Sequence, residues 1–231
     1  KVISQFAEAL IIRTFAQSDV DELGANASIP VINGLTDYDH PTQALADWLT
    51  ICEVFGKDLS GRKFTYFGDG NNVTTAWLMM GAIMGAHVVA ATPEGKFAPK
   101  KEVIELASKL ALESGGNVEV TSDARSAASG ASVLYTDVWM SMGDPEADRI
   151  EKEKALTSYS ISDELMGLAS KDAIFMHCLP AHRGEEVSAE LLEDRSISVV
   201  WDEAENRLHA QKALMLFLLI SVHVAKTFKR N

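Results

Sequence analysis

Phe64-Thr65-Tyr66-Phe67-Gly68-Asp69-Gly70-Asn71-Asn72 decides how this chain folds. Four residues dominated by aromatic and β-branched side chains read as a strand, and a Gly/Asp/Asn turn follows. A helical pattern then runs over residues 73–85. The alternation continues downstream, with strands at 87–91, 118–120 and 133–136 separated by helices at 100–113 and 123–129. A long polar segment, 140–170, holds helical pieces at 146–156 and 162–168. Strand 174–176, a helical turn at 188–192, strand 197–201 and a final helix at 204–228 complete the pattern. Strand and helix in strict alternation imply an α/β fold with a doubly wound parallel sheet.

Upstream the signals are shorter. Val2, Ile3 and Phe6 have helical spacing, residues 9–12 read as a strand ending at Arg13, and residues 30–33 as another. Ser18 with Asp21 three residues on predicts a capping box opening a helix that runs to Leu23. Pro41 suits a first helical turn, and that helix extends to a stop at Gly56. The expected division is 1–45 as part of a second α/β domain, 46–205 as the main domain, and 206–231 as a C-terminal helix packing back toward the first.

Composition narrows the function. A hydrophobic fraction of 47% and a charged fraction of 23% are those of a soluble globular protein. A net charge of −12 argues against nucleic-acid or anionic-membrane partners. The longest apolar run, 213–222, is too short to span a bilayer. Cys52 and Cys178 form no disulfide framework or ligand spacing, which points to a reducing compartment. The chain enters in mid-pattern, without an initiator Met, and so reads as the continuation of something longer.

Reactive side chains gather at the carboxyl ends of the strands, where open α/β sheets bind ligands. Asn71 and Asn72 follow one strand, Asp137 the next, and His177-Cys178-Leu179-Pro180-Ala181-His182-Arg183-Gly184-Glu185-Glu186 a third, while Arg13 and Arg207 sit beyond two others. His40-Pro41-Thr42-Gln43 places an imidazole before a helix N-terminus, where free N–H groups favour an anionic oxygen. Each group has a plainer reading. Asn71 and Asn72 would cap a helix, His40 and Gln43 would form a polar helix entry, and Arg207 would pair with Glu203 on an exposed face. Gly68-x-Gly70 with Glu94 after the next strand also suggests a dinucleotide loop, although Val73 stands where close packing wants Gly or Ala. Cys178 and Asp137 together would hold an amine. A zinc site at His177, Cys178 and His182 lacks correctly spaced partners, and a Cys–His nucleophile pair lacks a supporting pattern.

Taken together, Ile12-Arg13-Thr14, His40-Pro41-Thr42-Gln43, Gly68-Asp69-Gly70-Asn71-Asn72, the 137–143 run containing Ser141-Met142-Gly143, His177-Cys178-Leu179-Pro180 and the 202–207 run resemble the aspartate/ornithine carbamoyltransferase family, in the family's order. The His-Cys-Leu-Pro run and the Ser-Met-Gly loop resemble its ornithine branch. That resemblance implies carbamoyl transfer from carbamoyl phosphate to the side-chain amine of L-ornithine, giving citrulline and phosphate, without metal or organic cofactor. It implies Arg13, His40 and Gln43 on carbamoyl phosphate, with Arg13 and His40 polarising the carbonyl. Asn72, Asp137, Ser141 and Met142 would hold the amino-acid end of ornithine. Cys178 and the Leu179 backbone would line the reacting amine and the carbamoyl group, with Arg207 assisting on the same side. The catalytic set is thus Arg13, His40, Asp137, Cys178 and Arg207, with a cis Leu179–Pro180 peptide. Residues 1–45 would be the remnant of a carbamoyl-phosphate domain and 46–205 the ornithine-binding domain of a cytoplasmic or mitochondrial-matrix homotrimer. The family's Ser-x-Arg-Thr-Arg phosphate loop does not occur in these 231 residues, so the chain alone is expected to be a poor enzyme. The alternative is a non-catalytic amino-acid-binding or assembly module.

Overall fold

The computed structural model describes residues 1–141 and 144–228, with side chains described as far as Ser221. A parallel pair comes first: β1 (Leu10–Arg13) and β2 (Val31–Leu35), joined through α1 (Gln17–Asn26). Helix α2 (Pro41–Phe55) leads into a five-stranded sheet of β3 (Lys63–Phe67), β4 (His87–Ala91), β5 (Asn117–Thr121), β6 (Val133–Thr136) and β7 (Ile174–His177). Between these strands run α3 (Asn72–Ile83), α4 (Lys101–Ser114), α5 (Ala124–Ala128), α6 (Arg149–Leu156) and α7 (Asp163–Met166). After β7 come α8 (Ala189–Glu193) and α9 (Val200–Phe228). The strand order is β5-β4-β3-β6-β7, all parallel. This is the doubly wound α/β sheet that the alternation predicts.

The sequence folds this way because its central strands bury both faces. Every residue of β6 and β7 is buried, as the apolar runs of a sheet covered on two sides require. Phe64, Tyr66, Val133, Tyr135 and Met176 point to one core with Trp48, Ile51 and Trp77. Phe67, Leu134 and Phe175 point to the other with Leu156, Leu191 and Val200. The chain winds outward from β3 through β4 and β5, then returns to β6 on its other side. The carboxyl ends of β3 and β6 therefore diverge at the topological switch point, where such sheets open a crevice.

Two local readings are corrected. Residues 197–201 do not form a strand: the β-branched run makes a single bridge, Ser198 against Phe175, and Val200 already begins α9. Burial against β7 explains its apolar character equally well. No capping box opens α1, because the helix begins at Gln17 with Ala16 at its cap position. Its first-turn groups bond sideways instead, Gln17 to Asp21 at 3.0 Å and Thr14 to Asp19 at 3.1 Å. Residues Ile3–Gln5 form a short 3-10 turn.

Candidate active site

The crevice beyond β3 and β6 opens into a cleft of about 450 Å³. Arg13 reaches it from the end of β1, His40 and Gln43 from the start of α2, and Asn72 from the start of α3. Asp137 and Ser141 enter after β6, Cys178 and Leu179 after β7, and Arg207 from the second turn of α9. Sequence-selected residues from six separate elements thus share one wall or another of a single cavity. Met142 lies outside the described residues.

One end of the cleft is cationic. Arg13 and Arg207 flank His40, which is 5% exposed, so its imidazole resists a further positive charge. Burial first, then Arg207 and Arg13, lower its pKa to about 3. His40 is therefore neutral at physiological pH, at the N-terminus of a helix whose free N–H groups suit an anion.

The opposite wall is acidic and tightly bonded. Asp137, 7% exposed, accepts from Asn71 Nδ2 at 3.0 Å, from its neighbour Val138 N–H at 2.8 Å and from Cys178 Sγ at 3.0 Å. Burial and then the Asp137 charge hold the Cys178 thiol far above its usual range. A neutral thiol that donates to a carboxylate is a poor nucleophile, so the geometry disfavours a cysteine-protease reading. Asn71 also caps α3, its Oδ1 taking the N–H groups of Val73 and Thr74 at 2.9 and 3.0 Å, and its Nδ2 reaches Ser141 Oγ at 3.4 Å. Asn72 spends its Nδ2 on the Thr36 carbonyl at 2.7 Å, tying α3 to the segment after β2. Replacing Asn71 with Ala removes the cap and should lower stability by about 1–2 kcal/mol, seen as a lower urea midpoint.

His177 is structural. Its Nδ1 accepts the Leu179 N–H at 2.9 Å, which leaves the proton on Nε2 to donate to Glu186 at 3.1 Å; both side chains are fully buried. Glu186 also accepts the His182 N–H, so the polar crowd after β7 mostly braces its own loop. The Leu179–Pro180 peptide in that loop is cis, and Leu179 has φ 55°. His182, Glu185 and Glu186 bring ligand-type atoms within 4.8 Å of one another, but Glu186 is already engaged by His177. Glu203 corrects the sequence reading: far from forming an exposed pair with Arg207, it is fully buried and accepts from His177 N–H and Gln43. The dinucleotide reading of the Gly68–Gly70 turn also weakens. A Cβ on Gly70 would stand 2.2 Å from the Pro99 nitrogen, so this glycine is explained by a neighbouring backbone.

A sequence profile for the aspartate/ornithine carbamoyltransferase Asp/Orn binding domain matches residues 60–218, and that for the family's carbamoyl-P binding domain matches residues 1–53. The chain belongs to the aspartate/ornithine carbamoyltransferase family. Among relatives, it is 52% identical to an ornithine carbamoyltransferase of Oceanobacillus iheyensis, over 95% of this chain and 67% of that protein. It is 50% identical to one from Pyrococcus horikoshii, over 95% and 68%. The fold superimposes on the ornithine carbamoyltransferase of Pyrococcus furiosus with a TM-score of 0.88 and 47% identity, covering 94% of this chain and 68% of that one. For the Gloeobacter violaceus enzyme the TM-score is 0.86 at 45% identity, covering 94% and 72%. As a carbamoyltransferase-family chain, it draws the lining of the cleft from both profile matches: Arg13, His40 and Gln43 from one, Asn72 to Arg207 from the other. No helix among the described residues is long and apolar enough to cross a membrane.

Proposed function

We propose that the cleft transfers the carbamoyl group of carbamoyl phosphate to the side-chain amine of L-ornithine, yielding citrulline and phosphate. The observation that carries this reading is the cleft's lining: two guanidinium groups, a neutral imidazole, a buried carboxylate and a thiol share one cavity. Carbamoyl phosphate would lie at the cationic end, its carbonyl oxygen met by Arg13 and His40 and its carbamoyl group by Gln43. Ornithine would lie against Asn72, Asp137, Ser141 and Met142, its reacting amine meeting the carbamoyl group beside Cys178 and the Leu179 backbone, where Arg207 reaches in from the cationic end. The amine attacks the carbonyl carbon, forming the C–N bond. Donors already in place stabilise the developing oxyanion, so no reorganisation is needed at that moment. Collapse breaks the bond to the phosphate oxygen, which leaves with the electron pair, and the amine's proton passes to the departing phosphate. These roles draw on the chain's own groups and call for no cofactor.

Residues 1–45 would serve the carbamoyl phosphate end, 46–205 the ornithine end, and 206–231 would pack back toward the first. A homotrimer, as in the family, in the cytoplasm or the mitochondrial matrix would be the corresponding assembly and location, in keeping with the two free thiols, Cys52 and Cys178. Because residues 1–231 contain no Ser-x-Arg-Thr-Arg run, the phosphate dianion meets few cations, and a polypeptide of these residues alone should turn over slowly. The test is citrulline formation from carbamoyl phosphate and ornithine, beside thermal melts with each ligand. Ornithine should raise the melting temperature and a nicotinamide dinucleotide should not. Stabilisation by the dinucleotide and none by ornithine would overturn the reading; ornithine binding with no turnover at all would favour the amino-acid-binding module.

A further inference from the structure

Behind the cleft wall, Asp47 on α2 and Glu203 on α9 are buried to 2% and 0% exposure. Their carboxyl groups face each other within hydrogen-bonding reach across the packing of the two helices. Gln43 stands over them. Its Nε2 donates to Asp47 Oδ1 at 2.8 Å and to Glu203 Oε1 at 3.2 Å. The other Glu203 oxygen, Oε2, accepts the His177 N–H at 2.9 Å, and Gln43 Oε1 accepts from Arg207 Nη1 at 2.7 Å.

A primary amide has two N–H groups and one oxygen, and an unconstrained one can turn either end toward a ligand. Here both N–H groups are consumed by carboxyl oxygens on the core side. The nitrogen must face inward and the oxygen outward. We infer that Asp47 and Glu203 are positioning residues, a buried carboxyl pair that fixes the Gln43 amide with its oxygen toward the cleft, as an acceptor for Arg207 and for the NH2 of a carbamoyl group. This rests on the proposed carbamoyl transfer.

Charge agrees with the geometry. Arg207 is the cation beside the pair, while Tyr135 and Cys178 also face it and bring no positive charge. Two ionised carboxylates so close and so buried are disfavoured, and one shared proton leaves a single negative charge to balance Arg207. Burial correspondingly raises both, Asp47 to about 6 and Glu203 well above its usual range.

The two carboxyls are not equivalent, and isosteric amides expose the difference. In Asp47→Asn, the new oxygen accepts from Gln43 and the new NH2 donates to Glu203 in place of the shared proton, so the contacts that hold Gln43 survive. In Glu203→Gln, one end meets an N–H donor whichever way it turns, His177 on one side or Gln43 on the other. Gln43 is then driven to flip, and its NH2 confronts Arg207.

Measured by citrulline formation, Asp47→Asn should change the KM for carbamoyl phosphate by about threefold or less, and Glu203→Gln should raise it about tenfold or more, from one misplaced buried donor. Equal effects, or a worse Asp47→Asn, would overturn the inference, since packing alone treats the two alike. Hydrogen exchange at the Gln43 side-chain amide of the unsubstituted protein provides a readout that needs neither variant folding nor turnover. Slow exchange is expected. Fast exchange in an active protein overturns the positioning role, whereas slow exchange with neither carbamoyl phosphate binding nor turnover sinks the carbamoyl reading and leaves the orientation of Gln43 standing.

Discussion

Asp137→Asn should weaken ornithine binding about a hundredfold, the scale of removing one partner from a buried, hydrogen-bonded charge pair. Three donors converge on this carboxylate: Asn71 Nδ2 on Oδ2, and Val138 N–H and Cys178 Sγ on Oδ1. An amide at 137 supplies one oxygen, so its NH2 must confront a donor on one side. The protein cannot relax by flipping Asn71, because Asn71 Oδ1 holds two N–H groups at the start of α3. The substitution thus removes the counter-charge for an incoming ammonium and damages the wall that presents it. Calorimetric titration with ornithine reads the loss directly, whether or not turnover is fast. A change below about threefold would exclude Asp137 as the partner of the amine. Cys178→Ser keeps a hydroxyl donor to Asp137 and should cost less, about tenfold at most in binding and in turnover alike, whereas a nucleophilic cysteine would lose nearly all turnover. The acid limb of any rate profile between pH 5 and 8 should not belong to His40, whose pKa near 3 keeps it neutral throughout that range. His40 bears on stability instead. The unfolded chain binds a proton here near pH 6.5 and the folded one does not until near pH 3, so this contribution to stability falls as pH drops through that interval.

The cleft was legible because buried parallel strands are short, apolar and sharply ended. A titratable residue following Thr136 or Met176 can only lie at a strand end, and one handedness of crossover brings those ends to one edge. The layer behind the cleft was not legible. Glu203 and Arg207, four apart on a helix, look like any solvated ion pair, and nothing local says that Glu203 faces inward. A signal did exist: Gln43, Asp47 and Thr50 form one polar stripe on α2, and Glu203 with Asn206 forms another on α9. Two stripes of matching polar groups imply that the helices bury against each other, as the Asn206–Thr50 bond at 3.0 Å shows. Residues 197–201 misled for a different reason, since β-branched residues packed under a sheet edge have the composition of a strand without its ladder.

Lys152 is the second residue whose importance no motif announced, and its loss should be the most destabilising substitution in the site's surroundings. Its side chain is 4% exposed on α6, with the ammonium 2.7 Å from Asp69 Oδ2 and 2.6 Å from Asp144 Oδ2. Asp69 belongs to the turn after β3 and its other oxygen, Oδ1, is buried with no partner. Burial raises its carboxyl to about 6 even against the pull of Lys152. Asp144 in turn accepts the Ser141 N–H at 2.8 Å, so Lys152 joins the sheet to the loop that brings Ser141 to the cleft. Lys152→Met keeps much of the stem's bulk and strands Asp69 as an unpaired buried charge, at a cost of about 3 kcal/mol. Without the ammonium the Asp69 carboxyl rises further, so the folded variant holds a proton that the unfolded chain releases. The deficit should therefore grow as pH rises from 5 to 8, because stability falls wherever the folded state binds more protons. Denaturation at both pH values measures this, and adding Asp69→Asn to Lys152→Met should restore most of the loss at pH 8. A deficit that is equal at both pH values and unaffected by the second substitution would mean that Lys152 contributes through its methylene packing, with the ion pair to Asp69 immaterial.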